Sequence, residues 1–322
     1  MRAAALAVLL SAAGPLAAEP FLALPIDCDL GETCFVEDYV DIDPSAAALD
    51  HACGLKARDG HRGTDFAIPD LAAMEAGVAV LAAAPGIVEA VRDGVPDRVL
   101  RADDGASVAG QECGNAVRIG HANGFRTLYC HMREGSLTVS TGDRVAAGTP
   151  LGRVGLSGQT SFPHLHFSVL EDDGRVIDPF APGADPATCA TTRAGLWRDP
   201  MPYTDTGFYT AGFATAPPDL DSIRDGSARA ATARPTDPVV LYGLVFLART
   251  GDVMTLRATG PEGEIFARSV RIDAGRAQLF RAFGRRAPDT GWPAGQYSGE
   301  TRLSRGSRLI GTRQAYIEVT QD

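Results

Sequence analysis

The chain of 322 residues contains one lysine, Lys56, so its positive charge rests almost wholly on arginine. It has no polybasic run and a formal net charge of −10, which argues against a grip on nucleic acid or on an anionic membrane surface. No apolar run reaches the roughly 20 residues that a bilayer span requires. No C-x2-C pair is present, which excludes the usual thiolate zinc knuckle. Charged residues are only 22% against 45% hydrophobic, a balance that excludes a long disordered chain and fits a packed one. At roughly 100–200 residues per domain, the length predicts two domains.

Residues 1–18 read as an export signal. Arg2 supplies the positive start, Ala3–Leu10 the apolar run, and Ala17–Ala18 a small-residue cleavage site before Glu19. Removing Arg2 would take the formal charge from −10 to −11. Export makes disulfides of Cys28, Cys34, Cys53, Cys113, Cys130 and Cys189 the expectation. Six cysteines allow 15 pairings, and one has local support. Asn115–Gly120 and Phe125–Tyr129 read as strands joined by His121-Ala-Asn-Gly124, a hairpin that brings Cys113 opposite Cys130. Cys28–Cys34 and Cys53–Cys189 then follow mainly by elimination.

Residues 19–55 form an acidic lead-in that includes the extended-looking Phe35-Val-Glu-Asp-Tyr-Val40. From Gly60 to about Phe180, short apolar runs alternate with glycine and proline: Val78–Ala84, Ile87–Val91, Ala116–Ile119, Arg126–Tyr129, Leu151–Val154 and Leu165–Leu170. Short, closely spaced strands of this kind predict an antiparallel sandwich or barrel, with one or two helical turns over Pro69–Ala76. Gly94–Gly110 is a polar surface loop. Residues 186–235 read as a Pro-, Ala- and Thr-rich linker. A second strand series, Val239–Ala248, Val253–Thr259, Glu264–Ile272, Gln296–Leu303 and Leu309–Val319, predicts a small immunoglobulin-like sandwich over 236–322, although the Cys…Trp…Cys framework is absent. Its 12 arginines against 9 acids give +3, whereas 19–235 carries 17 basic against 31 acidic groups, or −14. The sandwich is thus the half better suited to face an anionic polymer, though +3 is modest and plain solubility is the stronger explanation of it.

Four of the six histidines, His61, His131, His164 and His166, stand in chemically suggestive contexts. His164 and His166, two apart on a strand, share one face. His61 and Asp65 are separated by a stretch containing Gly63, so a turn followed by a strand can converge an imidazole and a carboxylate. Two imidazoles and one carboxylate form a set that catalytic zinc accepts, with the fourth tetrahedral position left for water. His131 lies between the two motifs in Leu128-Tyr-Cys-His131. Alone, either spacing occurs by chance.

Taken together, H-x-G-x-D, then Tyr-x-His, then Pro163-His-Leu-His-Phe167 resembles the lysostaphin or LytM-type zinc metallopeptidases, which cut peptide cross-bridges in bacterial peptidoglycan. Val80-Leu-Ala-Ala-Ala-Pro-Gly-Ile-Val88 is similar to the family's V-x-A-x-x-x-G-x-V strand pair. Gly114-Asn-Ala-Val-Arg-Ile-Gly-His121 is similar to G-N-x-V-x-I-x-H, and Val145-Ala-Ala-Gly-Thr-Pro-Leu-Gly152 to V-x-x-G-x-x-I-G. The resemblance covers about residues 60–180. It implies an all-β fold whose catalytic domain, over 56–185, is a LytM-type antiparallel β-sandwich or barrel (the duplicated hybrid motif). It further implies one Zn(2+) per chain on His61, Asp65 and His166, with His131 and His164 as a catalytic pair that does not bind metal. His164, beside His166, is the first choice of general base; His131 would serve the oxyanion or the leaving amine. His121 reads as structural, and His51 has no counterpart.

The chain departs from the family pattern at Phe162, where glycine is usual, and at Ser168, where glutamate is common. Its Gly94–Gly110 loop is long, and Leu71–Ala76 reads as an insertion. The implied function is a zinc-dependent murein endopeptidase. Its partner would be the peptide stems of peptidoglycan, with no nucleic acid and no membrane span. The C-terminal domain is left as the surface for an envelope-protein partner. The alternatives are a non-catalytic envelope protein that binds and activates a wall amidase, and an exported peptidase acting on a non-wall protein. A periplasmic location is the first expectation and secretion the second. Peptide mapping without reduction is expected to recover Cys113 joined to Cys130; free thiols throughout would overturn the disulfide reading.

Overall fold

The computed structural model describes residues 21–100, 107–191 and 193–321. The expected export signal lies outside them, as do residues 101–106 of the Gly94–Gly110 loop. In the N-terminal unit the strands are β1 (Phe35–Asp38), β2 (Thr64–Ala67), β3 (Ala79–Leu81), β4 (Gly86–Arg92) and β5 (Asn115–Gly120). They continue as β6 (Arg126–Met132), β7 (Arg144–Val145), β8 (Pro150–Arg153), β9 (His164–Leu170) and β10 (Val176–Ile177). The large antiparallel sheet has the order β1-β2-β9-β6-β5-β4-β7 with β10 added to β9, and β3 pairs separately with β8.

Strand periodicity sorts the side chains. On β9, Leu165, Phe167 and Val169 are fully buried in the core, while His164, His166 and Ser168 point to the opposite face. The core closes over Val117, Ile119, Tyr129, Leu151 and Trp197, among others. All three expected disulfides are formed: Cys28–Cys34, Cys53–Cys189 and Cys113–Cys130.

The C-terminal unit is a two-sheet sandwich of β11 (Gly207–Ala214), β12 (Thr232–Ala233), β13 (Val239–Ala248), β14 (Val253–Gly260), β15 (Gly263–Arg271), β16 (Arg276–Arg285), β17 (Gly295–Arg305) and β18 (Arg308–Val319). One sheet runs β11-β13-β16 and the other β12-β18-β17-β14-β15. Phe213, Leu241 and Leu279 from the first sheet meet Leu256, Tyr297 and Ile317 from the second in a single core.

Two segments differ from the sequence expectation. The stretch read as a linker over 186–235 contains β11, which pairs along its length with β13, and a short helix (Leu220–Asp225). Its Pro-rich flanks mask the Phe208, Tyr209 and Phe213 that the strand buries. The lead-in is likewise part of the fold: Leu22 and Ile26 enter the core, and β1 pairs with β2.

The two units dock tightly. Phe35 of β1 and Phe162 pack against Tyr209 at ring-centroid distances of 4.8 and 5.5 Å, and Phe35 stacks on Phe246 at 5.4 Å. The single lysine is committed here. Lys56 is 1% exposed; its Nζ donates to the Thr204 carbonyl at 2.6 Å and lies 4.1 Å from the Phe246 ring centre. Burial pushes its ammonium down to about 7. Designating Leu71–Ala76 as α1 and Leu220–Asp225 as α2, each begins at an aspartate cap, Asp70 and Asp219, and the two helices face one another. Arg229 Nη2 donates to Asp70 Oδ2 at 2.8 Å.

Gly226 ends α2 in the left-handed region, at φ +83°, and a Cβ there would lie 2.8 Å from the Ala72 Cβ. Gly226→Ala is therefore expected to destabilise the protein by about 1–2 kcal/mol from backbone strain alone, with the contact adding to it. The denaturant midpoint measures this; an unchanged midpoint would contradict the docking described.

Candidate metal and catalytic centre

The site is set by register. Asp65 on β2 lies directly opposite His166 on β9, and His166 lies opposite Cys130 on β6. Phe66 and Phe167, their neighbours, go into the core, so Asp65 and His166 emerge together on the other face. His61 arrives from the turn before β2. Gly63 makes that approach feasible, because a Cβ there would sit 2.6 Å from the His166 ring. His131 follows Cys130 at a φ of 60°, an uncommon value for a residue other than glycine. In regular β6 geometry His131 would share the core face of Tyr129; the turn directs it into the cleft, where its ring centre is 4.7 Å from that of His164.

Hydrogen bonds fix each tautomer. A backbone carbonyl can only accept, so His61 Nδ1, 2.6 Å from the Tyr39 carbonyl, carries the proton and Nε2 presents a lone pair. Ser168 Oγ donates to the Arg62 carbonyl at 2.7 Å and so accepts from His166 Nε2 at 3.1 Å, which leaves His166 Nδ1 as the lone-pair atom. His61 Nε2 and His166 Nδ1 face each other at 3.2 Å. Asp65 Oδ2 is 3.0 Å from His61 Nε2, and Oδ1 is 2.7 Å from His166 Nδ1. Two lone pairs and a carboxylate converging this closely call for a cation.

The donor set fits zinc. With Zn–N near 2.0–2.1 Å, ligand atoms at tetrahedral corners lie about 3.3 Å apart, and the three donor atoms here lie within 4.8 Å of one another. Each imidazole is also oriented by a hydrogen bond from its other nitrogen, the support a metal-ligating histidine needs.

His131 and His164 are held differently. His131 Nδ1–H donates to the Ser157 carbonyl at 2.8 Å, and His164 Nδ1–H to the Phe162 carbonyl at 2.8 Å. Burial, with the neighbouring His164 and His166, keeps His131 well below the ordinary imidazole range. Burial also lowers His164. Both rings are thus neutral, with unprotonated Nε2 atoms. That of His164 is buried, has no hydrogen-bond partner and lies 3.6 Å from Asp65 Oδ1. Burial opposes the charge on Asp65, but His61, His164 and His166 hold its carboxyl well below the usual range. His61 moves up, because the pull of Asp65 outweighs the effect of burial.

Residues 59–179 match the family model described as Peptidase family M23. This segment is an M23 peptidase domain. The peptidoglycan DD-endopeptidase ShyC of Vibrio cholerae is 34% identical over 110 residues, covering 34% of this chain and 20% of that protein. The DD-carboxypeptidase/endopeptidase Mpg of Neisseria meningitidis is 36% identical over 96 residues, covering 29% of this chain and 21% of that protein. The chain thus spans about a fifth of the length of these curated relatives. Among solved structures, the catalytic domain of the prophage-encoded M23 protein EnpA from Enterococcus faecalis is 23% identical, with a TM-score of 0.33 over 52% of this chain and 98% of that one. The catalytic domain of lysostaphin from Staphylococcus simulans is 24% identical, with a TM-score of 0.27 over 38% of this chain and 77% of that one.

The M23 domain brings together His61, Asp65, His131, His164 and His166, all five residues expected from sequence. His121 lies apart, bonded to the Pro85 carbonyl and Thr127 Oγ1. His51 stacks on Phe180 at 5.2 Å, 3.6 Å from Asp178 and outside the cleft. Sequence reasoning missed Arg58, whose Nη2 donates to Asp65 Oδ2 at 2.7 Å and whose Nη1 bonds Asp38. It also missed Tyr39, whose carbonyl acts through the backbone and leaves no residue-type signal. Ser168, noticed only as a departure, turns out to orient His166.

Ser168→Ala is accordingly expected to keep the fold and weaken zinc binding at least about tenfold, read by competition with a chromogenic chelator. Unchanged affinity would mean that the Ser168–His166 bond does not orient the ligand.

Proposed function

We propose that this protein is a zinc-dependent murein endopeptidase that hydrolyses peptide cross-links of peptidoglycan. The observation that carries the reading is the juxtaposition of a His61–Asp65–His166 donor set with two neutral imidazoles in one cleft. That cleft has a volume of about 740 Å³, enough for a peptide segment. The name of the similar ShyC, a peptidoglycan DD-endopeptidase, supports the substrate class, and that of Mpg, a DD-carboxypeptidase/endopeptidase, supports the reaction type. Three disulfides support an oxidising compartment, which we take to be the periplasm. No helix among the described residues is long and apolar enough to cross a membrane.

His61, Asp65 and His166 would hold the metal, one per chain, through Nε2, a carboxylate oxygen and Nδ1. Zinc bound there supplies Lewis acidity, which polarises the scissile carbonyl and acidifies a water. His164 is assigned as general base, because its Nε2 is unprotonated, buried and unpartnered. Asp65, 3.6 Å away, favours the imidazolium that forms when His164 takes the proton. His131 Nε2 carries no proton in its resting tautomer, so it can donate only after one reaches it. We therefore assign His131 to the later step: the proton taken by His164 passes to His131 Nε2, whose ring centre is 4.7 Å from that of His164, and from there to the leaving amine, which returns both imidazoles to their starting state.

Purified protein should contain about one zinc per chain by elemental analysis. His61→Ala and His166→Ala are expected to lose metal and activity together. His164→Ala should keep zinc and lose about 10²–10⁴ in turnover. Mass spectrometry of muropeptides should show cross-linked dimers converted to monomers by the wild type. Full activity in folded, metal-free His166→Ala would reject the assignment.

A further inference from the structure

The cleft is not walled by the M23 domain alone. Arg224 of α2 and Gln278 of β16, both from the C-terminal half, line it together with Glu37 of β1. Their arrangement is ordered atom by atom. Tyr209 Oη donates to Glu37 Oε1 at 3.0 Å and can therefore accept from Gln278 Nε2, at 3.4 Å. This turns Gln278 Oε1 toward Arg224, where it accepts from Nε at 2.9 Å and also from Nη2.

An amide oxygen holds a guanidinium in place without neutralising it. Among the described residues no carboxylate forms an ion pair with Arg224, in contrast with Arg58, which bridges Asp38 and Asp65. Asp59 and Glu112 also line the cleft, and neither pairs with Arg224. Glu37, which lines the same wall, is pushed up to about 7 by burial and by Asp38 and Asp65, which weakens its claim on the cation.

The placement of Arg224 is rigid. Ile223 beside it is fully buried in the cluster with Phe162 and Tyr209, Asp219 caps the helix, and Gly226 closes against Ala72. Position along the cleft follows from the sheet. The C-terminal unit packs at Phe35, Ala67 and Phe162, the end of β9 that carries His164. Arg62 binds the Gly174 carbonyl at 3.2 Å, next to the other end of β9. A preorganised and electrostatically unpaired guanidinium therefore stands at the His164 end of the metal centre, on a different unit from the chemistry.

We infer that the C-terminal sandwich completes the substrate site, and that Arg224, seated on Gln278, binds a carboxylate of the peptide on the His164 side of the scissile bond. The inference rests on the murein reading for the identity of the peptide. Arg224 is a specificity-determining residue in this scheme and takes no part in the chemical step. A guanidinium suits the role because it offers parallel donors to a carboxylate, and donors already held in place lose little freedom on binding.

The probe is a purified cross-linked muropeptide dimer, prepared with its carboxylates free and with them amidated. Binding to the zinc-loaded full chain is measured by calorimetry in a His164→Ala background, so that the ligand stays intact. Adding Arg224→Ala is expected to raise Kd about tenfold for the free acid and to leave the amidated form unchanged. Arg224→Lys should recover part of the loss. In otherwise wild-type protein, Arg224→Ala should raise KM by a similar factor with kcat within about twofold. Equal affinity of both variants for the free acid, or no binding of the dimer at all, overturns the inference. Binding that depends on Arg224 without cleavage by the wild type would uphold the inference and reject the peptidase reading. Cleavage indifferent to Arg224 would do the reverse.

Discussion

A carboxylate with no exposure at all, that of Asp65, is the constraint around which the rest of the M23 domain is organised. Such a group is tolerated only when charge and hydrogen bonds surround it. Here Arg58 supplies a charge-assisted hydrogen bond, a cation shared with the lone pairs of His61 and His166 would supply the rest, and each partner is in turn fixed by a group behind it: Asp38, the Tyr39 carbonyl and Ser168. The β2–β9 register is what makes this feasible. A slip of one residue would put Phe66 into the cleft and Asp65 into the apolar core, so the hydrophobic pattern and the metal site specify the same pairing.

The departures from the family pattern acquire a common explanation. Phe162, standing where glycine is usual, packs on Tyr209 of the sandwich, and the inserted Leu71–Ala76 helix is the platform against which α2 closes. Both are docking features for the C-terminal unit. A backbone carbonyl of Phe162 also holds His164, so the residue that anchors the second unit sits on the segment that orients the proposed base. The proposed recognition and catalytic groups are thus connected through one segment.

Much of this was legible in the sequence, for identifiable reasons. The two-residue spacing of His164 and His166 survives as a shared strand face because β9 is regular. The Asn-Gly turn did place Cys113 against Cys130. Compact apolar runs such as Ile87–Val91 and Leu165–Leu170 match β4 and β9 to within a residue at each end. What escaped obeys different physics. β16 is an edge strand carrying Arg276, Arg281 and Arg285, and its half-solvated faces blur the alternation. The carbonyls of Tyr39, Ser157 and Phe162 set tautomers, yet a backbone acceptor has no residue type. Lys56 stood out as the single lysine, but only the structure places it against Phe246 at the junction of the two units.

Arg58 is the residue whose presence is hardest to reconcile with a dication nearby, and the sheet explains it. Across β1 and β2, Asp38 is the register partner of Asp65, so two carboxylates face one another on adjacent strands. Like charges so placed repel and would destabilise the edge of the sheet next to the metal site. Arg58 bridges them, with Nη1 on Asp38 and Nη2 on Asp65 Oδ2. Its positive charge is therefore balanced by Asp38 and does not subtract the full charge of Asp65 from the site. Oδ1 stays directed at His166 Nδ1, 2.7 Å away, on the side where the donor atoms converge. Arg58 thus fixes the carboxylate's orientation and relieves the repulsion behind it, while Asp65 keeps one oxygen for a cation. A lysine would match the charge but could not span both acids with a planar fork, which accounts for an arginine at this position.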